Sequence, residues 1–447
     1  MARTEPARGT RDFLPEDVRR RDHVIGIVKR VFERYGYEPL ETPAFENLET
    51  LTGKYGDEGS QLIFKILKRG EHEATGQADL ALRYDLTVPL ARAVAHHRAR
   101  LPRLFKRYQI QPVWRADRPA RGRFREFYQC DVDALGSTSP VVEAEVCAAV
   151  SDVLTELGFQ EFAIRLNHRQ LLTGILDSAG VERARHGDAL IALDKLDKIG
   201  AAGVSADLAA RGFGQQARDR LLRLFAVDLL ADDAGARLET VQRFVAGHAD
   251  ATWALANLRR ILDLSRHTSA AGRLRLDPSL ARGLSYYTGA IMEISVPDLA
   301  GSLGGGGRYD DLIGMFSGES IPACGFSLGL ERILVIMTER HMFPPGLPMN
   351  PADVMVAAFE EAGMPHAMTL AAALRRSSLR VFVYPEPDKI GKQLKYAESR
   401  GIPCVAMLGE NEIARHQVTI KHLASRAQET HAQDRAGEAV KELLARG

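Results

Sequence analysis

No Cys-x-x-Cys pair occurs in this 447-residue chain, and its four cysteines, Cys130, Cys147, Cys324 and Cys404, lie far apart. That spacing argues against a structural zinc and fits a reducing compartment. Uninterrupted apolar runs long enough to span a bilayer are also missing, which excludes a helical membrane protein. The stretch from Met1 to Pro15 mixes arginines with Glu5, Asp12 and prolines around no apolar segment. Neither a signal peptide nor a membrane anchor is expected from it, and the cytosol is the expected location. Charge of one sign is not in excess either: the net formal charge is +1, so a nucleic-acid partner would have to be held by local patches. There is no internal repeat and no low-complexity tract. Common nucleotide and metal signatures fail in turn. The glycine run Gly304–Gly307 does not end in Gly-Lys-Ser/Thr and lacks the Gly-x-Gly-x-x-Gly spacing; Lys389-Ile-Gly-Lys392-Gln393 has no upstream glycine; His72-Glu73 has no second histidine at the zinc-protease interval. His23, His96, His97 and His168 read as surface or supporting residues without a role.

What is present is core material, with 45% apolar and 26% charged residues, in a length that suggests roughly two or three domains. From Val18 to Tyr35 apolar residues recur at near-helical spacing, and Gly36 stands where a helix would stop. Tyr37–Phe45, carrying Pro39 and Pro43, reads as an extended piece at a sheet margin or an interface. Leu80–Arg83 is predicted as a strand, and Thr87–His96 as a helix with Pro89 in its first turn. Lys106–Arg115 and Phe124–Leu135 form a predicted long antiparallel hairpin. Between about 177 and 266 the composition shifts to Ala, Leu, Arg and Asp at helical period, which predicts an inserted helical module. Strand character returns near Leu274 and runs through Tyr286-Tyr287. A proline-rich linker, His341–Pro351, separates a first domain, 1–345, from a second, 352–447, with 346–351 as the linker's end. Beyond it, Val354–Phe359, Leu379–Tyr384 and Pro403–Leu408 alternate with helix-like stretches, as in a small α/β domain.

Three segments carry chemistry. Arg282-Gly-Leu-Ser-Tyr286-Tyr287 delivers a permanent cation and two phenols from a loop entering a strand. It fits a site for carboxylate or phosphate oxygens, and alone it also fits a tyrosine-rich strand with a surface arginine. The end of the hairpin, Trp114 to Phe127, is densely cationic with embedded aromatics. Arg115 there could neutralise phosphate charge and Phe127 could stack an adenine; a solvated basic hairpin that binds nothing is the other reading. The glycines of 304–307 either bring backbone close to a ligand or mark a loop that turns. After the small residues Ala323–Gly329, Arg332 is expected in the first turns of a helix, free to lie over a purine.

Together these pieces resemble the class II aminoacyl-tRNA synthetases, and among them the histidyl-tRNA synthetase family, over nearly the whole chain. The helix and strand ending at Pro43 resemble motif 1, the dimer-forming element; the Arg115 hairpin resembles motif 2, and Gly325–Ile333 motif 3. Arg282-Gly-Leu-x-Tyr-Tyr and Gly-Gly-Arg-Tyr-Asp resemble the two stretches peculiar to the histidine enzymes. Leu82–Thr87 and Phe127–Asp133 look like the amino-acid-binding segments.

The resemblance implies an α+β fold with an antiparallel catalytic sheet and helices, a helical insertion and a C-terminal α/β anticodon-binding domain. It implies a homodimer that binds L-histidine, ATP and tRNA(His), with Mg2+ accompanying the ATP and no metal site made by the protein itself. Asp85, Thr87 and Gln129 would accept from the substrate ammonium, with Leu86 in the same histidine-binding set. Asp133 and Tyr287 would hydrogen-bond the imidazole, walled by Tyr286 and its neighbours. Arg282 would bridge the substrate carboxylate and the α-phosphate, faced by Arg115, making these the two catalytic residues. Phe127 and Arg332 would sandwich the adenine, with Asp117 and Arg123 near the adenylate and the triphosphate. The chain departs from the pattern at Asp85 and Asp133, where many bacterial members carry glutamate, at Asp311 in place of a frequent glycine, and at Ala120, which gives the motif 2 loop no polar reach. In the C-terminal domain Lys389, Lys392 and Lys395 could meet anticodon phosphates or simply form a soluble helix face. Two rivals stand beside ligation: a non-catalytic sensor of histidine or uncharged tRNA, and a sister synthetase for another amino acid.

Overall fold

A computed structural model describes residues 4–55, 59, 61–70, 75–193, 195–226, 234–281, 286–297 and 301–446. Arg282 and the following 283–285 lie outside the described residues, as do His72 and Glu73. The first helix, Pro15–Arg34, buries Val24, Ile27, Val28, Val31 and Phe32, a single stripe set by three- and four-residue spacing. It stops before Gly36, whose φ of 74° is the left-handed conformation that closes a helix.

The predicted extended piece Tyr37–Phe45 is split. Strand β1 (Glu38–Pro39) pairs in parallel with the strand that begins at Phe105. The Leu40 amide still donates to the Tyr108 carbonyl at 3.0 Å, but Thr42 donates to the Gln111 side chain instead, and Pro43 has no N–H. The ladder ends there for want of donors. The chain then enters a three-stranded antiparallel sheet of β2 (Phe45–Asn47), β3 (Lys65–Leu67) and β4 (Ala78–Leu82), ordered β2-β4-β3.

The large sheet adds β5 (Phe105–Trp114), β6 (Glu126–Leu135), β7 (Ala163–His168), β8 (Leu274–Leu276), β9 (Ala290–Ser295), β10 (Gly304–Arg308) and β11 (Ala323–Gly329). Its order is β1-β5-β6-β11-β10-β9-β7-β8. Only the two outermost pairs are parallel; every interior pair is antiparallel. The β5/β6 hairpin runs in unbroken register from Phe105 opposite Leu135 to Trp114 opposite Glu126. The glycine run is neither loop nor turn but β10, held inside the sheet between β9 and β11. A Cβ at Gly306 would lie 2.0 Å from the Gly325 carbonyl oxygen, so close backbone approach demands the glycine.

The alanine- and leucine-rich segment forms the helices Arg169–Ala179, His186–Leu193, Leu196–Ala210, Gln215–Ala226, Ala234–Phe244 and Ala249–Ser265. Their buried Leu171, Ile175, Val204, Leu208, Val241 and Leu258 join one continuous apolar core with Ile164 and Leu166 of β7 and Met292 of β9. These helices therefore rest on the large sheet's own core.

The chain divides into two compact units, Met1–Phe13 with Arg20–Phe343, and Leu14–Arg19 with Pro344–Gly447. The second unit contains β12 (Val354–Ala358), β13 (Val381–Val383), β14 (Cys404–Leu408), β15 (Gln417–His422) and β16 (Gln428–Ala432), in the order β13-β12-β14-β15-β16. β12 is fully buried because both its faces are covered. Helices Met364–Arg376 and Ala436–Arg446 pack with Val354 and Val356 on one side, and helix Ile390–Ser399 with Met355 and Ala357 on the other.

Candidate active site

A cavity of about 470 Å³ opens on the large sheet within the first unit. Its floor follows from strand periodicity. On β6, Gln129, Asp131 and Asp133 border the cavity, while the intervening Cys130, Val132 and Ala134 enter the apolar core. Arg107, opposite Asp133 in the β5 register, is wholly buried and reaches its carboxylate at 2.8 Å. The Tyr309 hydroxyl donates to the other Asp133 oxygen. Gly325 stands across from Asp133 on β11, where a Cβ would lie 1.8 Å from Asp133 Oδ1. Space for this carboxylate is thus made by a glycine.

The second carboxylate, Asp85, precedes helix Thr87–His96 and takes the Val88 amide at 3.0 Å, so it serves the helix start as well as the cavity. It also accepts from the Tyr55 hydroxyl at 3.0 Å and the Tyr286 hydroxyl at 3.3 Å. Burial raises the pKa of Asp85, against the Val88 amide, Arg115, Tyr55 and Tyr286. Burial raises Asp133 too, against Arg107 and Tyr309. Asp131 is pushed up to about 7, by burial first and by its neighbours Asp133 and Asp85, while Arg107 and Ser327 oppose the rise. Three buried carboxylates facing Arg107 and Arg115 suit a ligand that brings positive charge.

An aromatic wall stands beside them. The Tyr286 ring meets Tyr287 and Tyr309 edge-on, at centroid distances of 5.1 and 6.1 Å. Burial raises the pKa of Tyr55, Tyr286 and Tyr309 well above 10, which keeps these phenols protonated and able to donate.

The other end of the cavity is cationic. Arg115 donates from Nε to the Tyr84 carbonyl at 3.0 Å, and its guanidinium lies 4.2 Å from the Tyr84 ring centre and 5.2 Å from that of Phe127. Across the β5–β6 loop Arg123 makes a forked pair with Asp117, at 2.8 and 3.1 Å. Gly122, at φ 68°, lets this loop approach helix Leu330–Glu339; a Cβ there would lie 3.2 Å from Arg332 Cγ. Arg332 is the third residue of that helix and donates to the Ser302 carbonyl. Glu331 beside it accepts the Tyr128 amide on both carboxylate oxygens, at 3.1 and 3.0 Å.

Asp85, Thr87, Arg115, Asp117, Arg123, Phe127, Gln129, Asp133, Tyr286, Tyr287 and Arg332 therefore border one cavity, although they come from distant parts of the chain. Leu86 does not: its side chain is fully buried in the core, and its carbonyl accepts from Arg107 at 3.4 Å. Arg282 is outside the described residues. Sequence reasoning missed Arg107 and Tyr55, and gave no individual role to Asp131 or Tyr309, although both lie inside segments it singled out. The two-residue alternation of Gln129, Asp131 and Asp133 was the one signal for Asp131; nothing local marks Arg107, which reads as one more basic residue on a strand. Of the histidines left without a role, His168 is buried, its Nδ1 accepts the Gln170 amide at 3.2 Å to cap a helix, and burial, with Arg308 adding, lowers its pKa to about 4.

Residues 9–333 match the family model described as histidyl-tRNA synthetase, and residues 353–443 that described as anticodon binding domain. Curated proteins named histidine–tRNA ligase from Christiangramia forsetii and Gloeobacter violaceus are each 40% identical to the chain; each match covers 94% of this chain and 95% of the relative. Among solved structures, a histidyl-tRNA synthetase from a Nostoc species superposes with a TM-score of 0.82 at 29% identity, covering 100% of both chains. A Bacillus halodurans structure described as an ATP phosphoribosyltransferase regulatory subunit/histidyl-tRNA synthetase shares the fold at a TM-score of 0.73 and 23% identity, covering 90% of this chain and 98% of that one. With the family model matching from residue 9 to 333 and relatives similar over nearly their full length, this chain belongs to the histidyl-tRNA synthetase family.

Proposed function

We propose that this protein ligates L-histidine to tRNA(His), first activating the amino acid with ATP as histidyl-adenylate and then passing it to the terminal ribose. The observation that carries this reading is the union, in one cavity, of a carboxylate-and-phenol half, Asp85, Asp133, Tyr286 and Tyr287, with a guanidinium half, Arg115, Arg123 and Arg332. In this reading Asp85, Thr87 and Gln129 receive the ammonium, and Asp133 and Tyr287 the imidazole nitrogens. A ligand lacking those nitrogens would leave buried polar groups unpaired, which is the basis of selection. The substrate carboxylate is already a nucleophile, so its attack on the α-phosphorus needs no general base. Arg115 and, from the sequence resemblance, Arg282 neutralise the charge that grows on the phosphoryl oxygens as pyrophosphate leaves. Phe127 and Arg332 flank the adenine, with Asp117 and Arg123 beside the phosphates.

ATP is the energy source of this family's reaction, and Mg2+ is proposed to arrive on its phosphates. Asp117 is engaged by Arg123 and Glu331 by the Tyr128 amide, and among the described residues no three His, Cys, Asp or Glu side chains gather to hold a metal. Such a site suits an ion carried by the triphosphate rather than a protein cage. A homodimer through the motif 1 helix and strand, a cytoplasmic location, and catalytic and anticodon-binding domains bounded near 345 and 352 complete the proposal. Among the described residues no helix is long and apolar enough to cross a membrane. Lys392 and Lys395 lie on helix Ile390–Ser399 just after Lys389, and Lys392 pairs with Asp388; contact of this helix with anticodon phosphates is part of the proposal.

Pyrophosphate exchange run with each amino acid in turn is the test. Histidine alone should support it, and exchange with proline, threonine or glycine, or none at all, would overturn the reading. Arg282→Gln should slow exchange by about 2–4 kcal/mol of lost transition-state stabilisation; an unchanged rate would remove its assigned role.

A further inference from the structure

Asp131 has no part in the roles assigned above, yet it lies on the cavity floor between two residues that do, with only 2% of its surface exposed. From β5 it faces Arg107 and Gln109, from its own strand Asp133, from β11 Ser327, and from the turn before helix Thr87–His96 Asp85. Ser327 is its direct partner in the β11 register, so the Ser327 hydroxyl and the Asp131 carboxylate stand side by side on one face of the sheet. The same hydroxyl oxygen receives the Gln129 side-chain N–H at 2.9 Å.

These contacts have one consistent polarity. Once ionised, as an arriving ammonium favours, the Asp131 carboxylate only accepts, and the Ser327 hydroxyl has a single proton. If Ser327 donates to Asp131, its oxygen must accept from Gln129, so the Gln129 amide turns its NH2 to Ser327 and leaves its carbonyl for the cavity. That oxygen, Gln129 Oε1, is buried and has no hydrogen-bond partner, as does Asp131 Oδ1; Gln129 as a whole is 8% exposed. A buried acceptor without a donor, at the edge of a cavity, is a place made for a donor that comes with the ligand.

We propose that Asp131 is a positioning residue for the substrate's α-ammonium, acting through the Ser327 hydroxyl to hold the Gln129 carbonyl oxygen toward it. This rests on the histidine-binding reading of the cavity. Without the carboxylate, Ser327 is free to donate to Gln129 instead. The amide can then flip and present N–H groups to a cation.

The test uses the full-length protein and two ligands that share the imidazole and the carboxylate: L-histidine, and imidazolepropionate, which lacks the ammonium. In Asp131→Ala and in Ser327→Ala the Kd for histidine, measured by calorimetry, should rise about tenfold, the worth of a charge-assisted hydrogen bond. Imidazolepropionate binding, and the KM for ATP at saturating histidine, should stay within about twofold, because neither ligand group meets the relay. The double variant should be no worse than the weaker-binding single one, since both cut the same relay, and Asp131→Asn, whose amide oxygen still accepts, should recover most of the affinity. Equal weakening toward both ligands, a raised KM for ATP, additive losses, or no change in either variant would overturn the proposal. Should Asp131→Ala fail to fold, Ser327→Ala leaves every charge in place and cuts the same relay, so its two affinities decide the matter alone. If the unaltered protein binds no histidine and supports no exchange, the functional reading fails rather than the relay.

Discussion

Each buried carboxylate of the cavity is tolerable only because of a few named partners, and that dependence can be measured. Arg107 is the wholly buried cation beside Asp133, and both Asp131 and Asp133 are held toward the charged form by it. Arg107→Met leaves these charges uncompensated and should destabilise the protein by about 3–5 kcal/mol, read from chemical denaturation; a loss below about 1 kcal/mol would show that the pair is not what holds them. Asp131, with its pKa near 7 in the folded protein against 3.8 for a free carboxyl, favours folding in its neutral form. Its contribution is fully present below the free value and is lost as pH rises through about 7. An ammonium arriving nearby favours ionisation, so histidine binding near neutral pH should release part of a proton from Asp131. Calorimetry in two buffers of different ionisation enthalpy should record less release in Asp131→Asn, and an identical proton count in the variant would refute the linkage. None of this is legible from composition. Asp131 and Arg107 gain meaning only when β5 and β6 are laid side by side.

At the level of elements, the helix Thr87–His96, the β5/β6 hairpin and three of the second unit's strands, β12, β13 and β14, were legible within a residue or two, because their apolar period and turn residues agree with the final packing, whereas β15 and β16 went unread. The glycine strand was not. Gly304–Gly307 has no side chains from which a period could be read, and only its neighbours β9 and β11 make it a strand. Tyr37–Phe45 failed for the opposite reason: its prolines correctly announced an edge, but the switch to the second sheet depends on Gln111, far along the chain. The glycine across from Asp133 gives a direct test of this element logic. In Gly325→Ala the new methyl would occupy the position of the Asp133 carboxylate, so stability should fall by about 1–3 kcal/mol, with the greater share of the damage in histidine binding. As a control, Gly391→Ala in helix Ile390–Ser399 meets nothing within 4 Å and should be neutral or stabilising by up to about 1 kcal/mol. If the two variants behave alike, close approach is not the reason for Gly325.

On the scale of the whole molecule, each of the apolar clusters falls within one of the two units. The 344–447 segment closes a core on both faces of its own five-stranded sheet. It should therefore unfold cooperatively as an isolated fragment, seen as a sigmoidal denaturant transition with near-native ultraviolet dichroism; a gradual, non-cooperative loss would refute its autonomy. Local pattern pointed by itself to individual helices and strands, a proline-rich linker between two domains and a cation-rich hairpin, since periodicity, prolines and glycines act over a few residues. The resemblance carried by its motifs brought in the α+β fold and the amino-acid and nucleotide ends of the site. Only the tertiary structure decided which of those residues share a cavity, that a run of glycines is a strand beneath it, and that Asp131 and Arg107 belong to its charge balance. The physical reason is that a buried charge is defined by what surrounds it, and around this cavity its neighbours come from distant segments, as with Tyr286 and Asp85 at a separation of 201.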